Sequence, residues 1–354
     1  MIYWAPDLHL GKNIRSSCNA TRNDSYAALK NLEKILLESE CKTLVLPGDV
    51  FDRDSVSGTC LKYFGAFIDN LYENDIEVLA IQGNHDTGID SIAESQGTIN
   101  IHKKLVEREG TKIYGLDFMS ASELKEELKL VPPCDVLVLH AAHPESLGFE
   151  NQYQFEKADI PEHVGNVYAG HVHVSELYTL HGGRGHIISP GVLHPCSVSQ
   201  GGHTNVFTWR NQVPELSWVS IPIENRTIYR YSIEIEKDFE LIYEKLESLQ
   251  ETLLPIVSIN YLSEFADEML RLKTKYSSKA IIFGKPCTHG KVIEIEIPKD
   301  EIGSKLTLEQ ALPFAVDPEK DSELYGFLDS LICSNEPSKV IESVVQQVFV
   351  SNKV

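Results

Sequence analysis

Thr43-Leu44-Val45-Leu46-Pro47-Gly48-Asp49-Val50-Phe51-Asp52 reads as a buried strand that runs into a tight turn. The apolar and β-branched residues make the strand, Pro47 ends it, and Gly48 permits the turn that aims the Asp49 carboxylate over the strand end. The same grammar recurs on both sides. Residues 2–5 lead into Asp7-Leu8-His9, residues 77–82 into Gly83-Asn84-His85-Asp86, and residues 136–140 close on His140. Farther on, Gly170-His171-Val172-His173 offers two imidazoles two residues apart, on one side of a strand or turn. Open α/β sheets gather their ligands at the carboxyl ends of strands. An isolated Asp-x-His is more often a turn aspartate beside a surface histidine. Five such blocks in succession instead predict one shared metal site.

Outward from these strands, residues 23–39 and 58–74 carry apolar side chains at three- and four-residue intervals, which predicts helices packed on a sheet. Residues 112–117 read as another strand. From 167 to 222 short strands alternate with turns at Gly182-Gly183 and Gly201-Gly202, which suggests a second sheet. The expected fold class is therefore α/β, with two sheets held between helices. After Pro222 the pattern restarts: strand 229–236, helix 239–252, strand 256–261, helix 264–276, strand 279–283, a small α/β appendage. The last fifty or so residues read as helices separated by Pro-containing turns. The final one carries an apolar stripe of Val340, Ile341, Val344, Val345, Val348 and Phe349, suited to packing on its own core or on a partner.

A chain of 354 residues exceeds the usual single core, and 42% hydrophobic with 24% charged residues excludes a disordered or collagen-like protein. The net charge of −20 opposes unaided binding of a polyanion unless basic groups are gathered locally or another subunit supplies them. One stretch, from Arg271 through Lys273, Lys275, Lys279 and Lys285 to Lys291, has no acidic residue; a solvated surface is its simplest reading. Seven cysteines without a close pair are expected as reduced, mostly buried thiols. The start, Met-Ile-Tyr-Trp-Ala-Pro-Asp, has neither a basic lead nor a long apolar run, so a cytoplasmic protein with no membrane association is expected.

The five blocks resemble the signature of the calcineurin-like metallophosphoesterases over roughly residues 1–220. The resemblance implies a two-sheet αββα core. It also implies one metal held by Asp7, His9 and His173, a second by Asn84, His140 and His171, and Asp49 as the bridge. Such mixed carboxylate, carboxamide and imidazole donors suit manganese, iron or zinc. Two ions about 3.5–4 Å apart can acidify a water and clamp an in-line displacement at phosphorus. His85, next to a ligand without being one, is then the expected acid for the leaving group, with Asp86 or Asp52 orienting its ring. His143, His181, His186, His194 and His203 fall outside the blocks and are expected around the site or on the surface.

Asp49-x-x-Asp52-Arg53 is similar to protein Ser/Thr phosphatases, but Asp54 and Asp86 stand where those enzymes carry Gly and Glu. Leu8-His9-Leu10-Gly11 and Gly48-Asp49-Val50-Phe51-Asp52 more closely resemble the SbcD-type nuclease subunit of SbcCD-like double-strand-break repair complexes and its phage recombination-endonuclease relatives. Some of those relatives have a second histidine where this chain has Asp52. The resemblance implies a DNA nuclease with two Mn2+ ions, a 3′-to-5′ exonuclease on duplex ends and an endonuclease at hairpins or blocked ends. It further implies a homodimer acting with an SMC-like coiled-coil ATPase (SbcC type). The implied domains are a nuclease at 1–222, a DNA-contacting cap at 223–300 and a helical ATPase-docking segment at 301–354. Lys12, Arg15, Arg53, Arg271, Lys273 and Lys275 are the candidate DNA contacts. The alternative is a small-molecule phosphodiesterase or nucleotidase of the same superfamily.

Overall fold

A computed structural model describes residues 1–14, 18–53, 55–86, 97–147, 153–198, 200, 204–209, 218–250 and 253–287. Short helical turns aside, the chain begins β1 (Ile2–Trp4), α1 (Asp24–Leu37), β2 (Thr43–Leu46), α2 (Gly58–Glu73), β3 (Glu77–Ala80) and β4 (Ile99–Asn100). It continues β5 (Leu105–Arg108), β6 (Thr111–Leu116), α3 (Ala121–Leu128), β7 (Cys134–His140), β8 (Val164–Gly170), β9 (Ser175–Leu180), β10 (Gly185–Pro190), β11 (Thr204–Trp209) and β12 (Val219–Ile223). Two six-stranded mixed sheets result, in the orders β12-β11-β1-β2-β3-β4 and β5-β6-β7-β8-β10-β9.

Alternation along each strand sorts the side chains into layers. Ile2, Trp4, Val45 and Leu79 of the first sheet meet Ile113, Val136, Val138, Tyr168 and Ile188 of the second in one buried cluster. Their neighbours Tyr3, Leu44, Leu46 and Val78 point the other way, into a cluster with Leu29, Leu32 and Leu36 of α1 and Phe64, Phe67 and Leu71 of α2. On the outer face of the second sheet, Leu137, Leu139, Val167 and Ala169 pack with Leu124 and Leu128 of α3. The layers are thus helix, sheet, sheet, helix. Tyr168 locks the sheets together, its buried hydroxyl donating to the carbonyls of Trp4 (2.9 Å) and Ala5 (3.0 Å).

Residues 167–222 do not make a sheet of their own. β8, β9 and β10 extend the sheet begun by β5 to β7, whereas β11 returns to pair antiparallel with β1, Tyr3 opposite Thr208, and brings β12 with it. Backbone pairing with the free edge of β1 decides this, and hydrophobic alternation does not encode which edge a strand will join.

Beyond β12, β13 (Ile228–Ile233), α4 (Asp238–Ser248), β14 (Ile256–Leu262), α5 (Ala266–Tyr276) and β15 (Ile281–Cys287) form a three-stranded parallel sheet with both helices on one face. Ile233, Val257 and Ile259 meet Phe239, Ile242, Leu246, Met269 and Leu272 in its core. Arg226 fastens it to the two-sheet core: the buried guanidinium grips the Asp24 carboxylate with two hydrogen bonds (2.7 and 2.8 Å) and also donates to the carbonyls of Ala20 and Leu254. Met1–Cys287 is one compact unit. A second, Thr288–Val354, lies outside the described residues, and with it the helical segment expected at 301–354 and its apolar stripe. Cys18, Cys41, Cys60, Cys134 and Cys196 are free thiols, all buried except the half-buried Cys18. Among the described residues no helix is long and apolar enough to cross a membrane.

Candidate metal centre

β1, β2 and β3 of one sheet and β7 and β8 of the other direct their carboxyl ends to the same place, so the loops after them converge. Three of the converging residues have left-handed backbones: His9 (φ 42°), Asp49 (φ 47°) and His171 (φ 91°). Non-glycine residues in this region carry strain that persists only where the surroundings fix it, a frequent mark of functional loops. Gly48 (φ 99°) allows the turn into Asp49, and a Cβ there would come 2.6 Å from His140 Nδ1. At Gly83 a Cβ would collide with the backbone nitrogen and Oδ1 of Asp49.

Asp49 is the hub. Its Oδ1 accepts from the His85 N–H at 2.9 Å, while its Oδ2 lies 3.3 Å from His140 Nε2, 3.5 Å from His9 Nε2 and 4.0 Å from His85 Nε2. On one side, His9 Nε2 faces His173 Nε2 at 3.0 Å. On the other, Asn84 Oδ1 lies 3.0 Å from His140 Nε2 and 2.8 Å from His171 Nδ1. Asp7, fully buried, accepts the His171 N–H through Oδ2 at 2.7 Å. All seven residues expected as ligands therefore line one cluster. His140 Nδ1–H donates to the Pro47 carbonyl (2.8 Å), which leaves Nε2 facing inward.

The donor set fits divalent cations on three counts. Asp7 Oδ1 and His9 Nδ1 are buried without a hydrogen-bond partner among the described residues. Neither Asp7 nor Asp49 is paired with a lysine or arginine there. Burial also raises the Asp7 carboxyl well above its usual range, as expected for an acid lacking a counter-charge. Burial keeps the rings neutral, as ligands must be: His171 and His173 are pushed down to about 4, and His9 well below its ordinary value. His140 is the exception. Burial opposes its charge, but the Asp49 carboxylate outweighs burial and raises the ring to about 9; reciprocally, His140 holds Asp49 well below the carboxylate range against its own burial.

The His85 side chain, 38% exposed, stands at the open side of the cluster. Its Nδ1–H donates to the main-chain carbonyl of Asp52 at 2.7 Å, so a carbonyl orients this ring in place of the expected carboxylate. The Asp52 carboxylate instead holds Lys12 Nζ at 2.8 Å and meets Arg53 Nε at 3.4 Å. Asp86 accepts from the N–H groups of Gly83, Val50 and Phe51 (3.1–3.2 Å), bracing the loop after β2 against the loop after β3. Beside Asp52 opens a cleft of about 740 Å3 lined by Arg22, Asn23, Tyr26, Arg53 and Ser57. Arg15 lies outside the described residues. Arg271 is far along the chain on α5, 3.3 Å from Glu268; Lys275 there meets Glu247 at 3.7 Å, and Lys273 lies against Gly284.

Two neighbours carried no sequence signal. Gln200 places its side-chain amide 2.6 Å from His173 Nδ1 while accepting from the Cys196 N–H, fixing the ring from behind. The Cys196 sulfur lies within 4.8 Å of donor atoms of His9 and His173, and burial lifts its thiol to about 12, which keeps it protonated at neutral pH. Of the histidines outside the blocks, His194 is buried, with Nε2 3.4 Å from the His9 carbonyl, and His143 is buried against Tyr178. His181 and His186 are half-buried, and His203 lies outside the described residues.

The sequence profile of the calcineurin-like phosphoesterases matches residues 2–183, more than half of the chain. Curated relatives include proteins named "DNA double-strand break repair protein Mre11". That of Nanoarchaeum equitans is 42% identical over 86 residues, 24% of each chain. That of Saccharolobus solfataricus is 24% identical over 263 residues, 68% of each chain, and that of Archaeoglobus fulgidus 27% identical over 209 residues, 50% of this chain and 46% of the relative. The chain thus spans between about a quarter and two thirds of the relatives it matches.

Proposed function

Because the chain belongs to the calcineurin-like phosphoesterase family, we propose that its cluster holds two divalent ions, Mn2+ in the cell, and hydrolyses DNA phosphodiester bonds. The carrying observation is Asp49 Oδ2 between two imidazole sets, 3.5 Å from His9 Nε2, which faces His173, and 3.3 Å from His140 Nε2, which with His171 meets Asn84. Asp7, His9 and His173 would hold one ion, Asn84, His140 and His171 the other, and Asp49 both. When bound, the pair supplies Lewis-acid polarisation at phosphorus and acidifies the attacking water.

The chain's own part is positioning and proton transfer. With Nδ1–H tied to the Asp52 carbonyl, a protonated His85 presents Nε2–H to the departing ribose oxygen, and the fixed ring makes this the general acid. Asp52 holds Lys12 at the rim, where its ammonium can meet a backbone phosphate, and Arg53 with Arg22 of the adjoining cleft extends the cationic path. The relatives named for double-strand-break repair support DNA as substrate. On this reading the chain is a 3′-to-5′ exonuclease on duplex ends and an endonuclease at hairpins. It acts as a homodimer with an SMC-like ATPase docked on the segment after residue 300, and the appended unit caps the site.

The test compares linear duplex, hairpin-ended DNA, bis(p-nitrophenyl) phosphate and cyclic nucleotides in manganese, with and without such an ATPase and ATP. Preference for DNA ends and hairpins supports the reading. Rapid turnover of the small diesters with DNA left intact would make the chain a small-molecule phosphodiesterase.

A further inference from the structure

Among the described residues, Cys196 is the only cysteine whose sulfur lies in a cluster of metal-type donors: Sγ and donor atoms of His9 and His173 are all within 4.8 Å of one another. Cys41 and Cys134 are also buried but belong to no such cluster. The loop that carries Cys196 is fastened alongside the loop of the first ligands. Asp7 N–H donates to the Gly191 carbonyl at 3.2 Å, Leu193 N–H donates to the Asp7 carbonyl at 2.8 Å, and His194 Nε2 lies 3.4 Å from the His9 carbonyl. Gln200 then ties the cysteine to a ligand ring, accepting the Cys196 N–H at 2.8 Å while its amide nitrogen lies 2.6 Å from His173 Nδ1. His9 itself, 2% exposed, has a ring nitrogen, Nδ1, with no hydrogen-bond partner among the described residues.

A sulfur donor makes the two halves of the centre chemically unequal. The cluster of Asp49, His140 and His171 offers only oxygen and nitrogen, which suits manganese, whereas a thiolate beside two imidazoles is a soft set that favours zinc. In a tetrahedral zinc site built from sulfur and imidazole nitrogen, neighbouring donors lie about 3.3–3.6 Å apart. His9 Nε2 and His173 Nε2 at 3.0 Å, with a sulfur no more than 4.8 Å away, bracket that spacing, so small side-chain rotations bring the donors onto one ion. Asp49 Oδ2, 3.5 Å from His9 Nε2, offers a fourth donor.

Resting on the two-metal reading above, we propose that Cys196 is a further ligand of the His9 and His173 half, and that its sulfur lets Zn2+ displace Mn2+ there. The thiol proton passes to solvent as the sulfur binds the ion. Cys196 thereby sets which ion this half of the centre retains when both are present.

The experiment loads the full chain with Co2+, a spectroscopic stand-in for zinc whose thiolate complexes show a charge-transfer band in the near ultraviolet. The band should be present in wild type, absent in Cys196→Ser and retained in Cys18→Ser, with circular dichroism verifying that each variant is folded. Zinc affinity, measured by competition with a chromophoric chelator, should fall about tenfold or more in Cys196→Ser, while manganese affinity changes less than about threefold. X-ray absorption of the zinc-loaded wild type needs no variant, and should show a sulfur at about 2.3 Å beside the nitrogen and oxygen donors. A wild-type chain without the band, a band that survives in Cys196→Ser, a shell of nitrogen and oxygen alone, or equal losses of zinc and manganese affinity overturns the assignment. A wild type that binds two manganese ions yet shows no band fails only the role of Cys196; one that binds neither ion fails the two-metal reading as well.

Discussion

His9, Asp49 and His171 sit in left-handed backbone conformations, and Gly83 packs directly on Asp49. At Gly83 a methyl group would collide with Asp49 itself. Gly83→Ala is expected to destabilise the protein by about 1–3 kcal/mol or more and to abolish stabilisation by manganese. Thermal denaturation with and without the ion checks this: wild type gains about 2.7 kcal/mol at a hundredfold excess over Kd, and the variant gains nothing. At this scale the sequence was most legible for side chains announced by strand-end grammar, such as Asp49 after Gly48 and Asn84 after Gly83. Gln200 and Cys196 were illegible, because they reach His173 through a loop whose path no local pattern encodes. The orienting group of His85 was also beyond reading, since a main-chain carbonyl leaves no trace in residue identity.

At the scale of elements, β2, β7 and the helices of residues 24–37 and 58–73 follow directly from alternation and three-to-four spacing. The return of β11 to β1 does not, because sheet membership is settled by which edge is free. Arg226 is a similar case, an ordinary arginine in sequence that becomes the buried joint between core and appendage. Arg226→Ala strands the buried Asp24 carboxylate and should cost about 3–5 kcal/mol in urea unfolding; a loss under about 1 kcal/mol would mean that water replaces the guanidinium. In the appendage, the Tyr276 hydroxyl and then Lys279 hold the Glu247 carboxyl down to about 2. A depressed folded-state value means that this contribution is complete above the ordinary 4.5 and is lost as pH falls from there towards 2. Glu247→Gln should therefore narrow its stability gap to wild type over that window. A gap constant between pH 6 and 3 would contradict the assignment.

For the whole molecule, a net charge of −20 sets the terms of the proposed DNA chemistry: contact has to be local, for which Lys12 and Arg53 near the cluster are the candidates, or be shared with a partner. The apolar stripe from Val340 to Phe349 is the sequence's candidate for partner docking. Removing the chain from Lys339 onward should abolish co-purification with an SMC-like ATPase, and retained co-purification would move the docking surface elsewhere. The central claim, a two-metal site that cuts DNA with His85 as acid, is tested most directly by the rate of linear duplex hydrolysis in manganese for wild type and His85→Ala. The account predicts metal-dependent cleavage by wild type and a fall of about 10²–10⁴-fold in the variant, with its stabilisation by manganese retained. Cleavage by His85→Ala at a rate near that of wild type would contradict it.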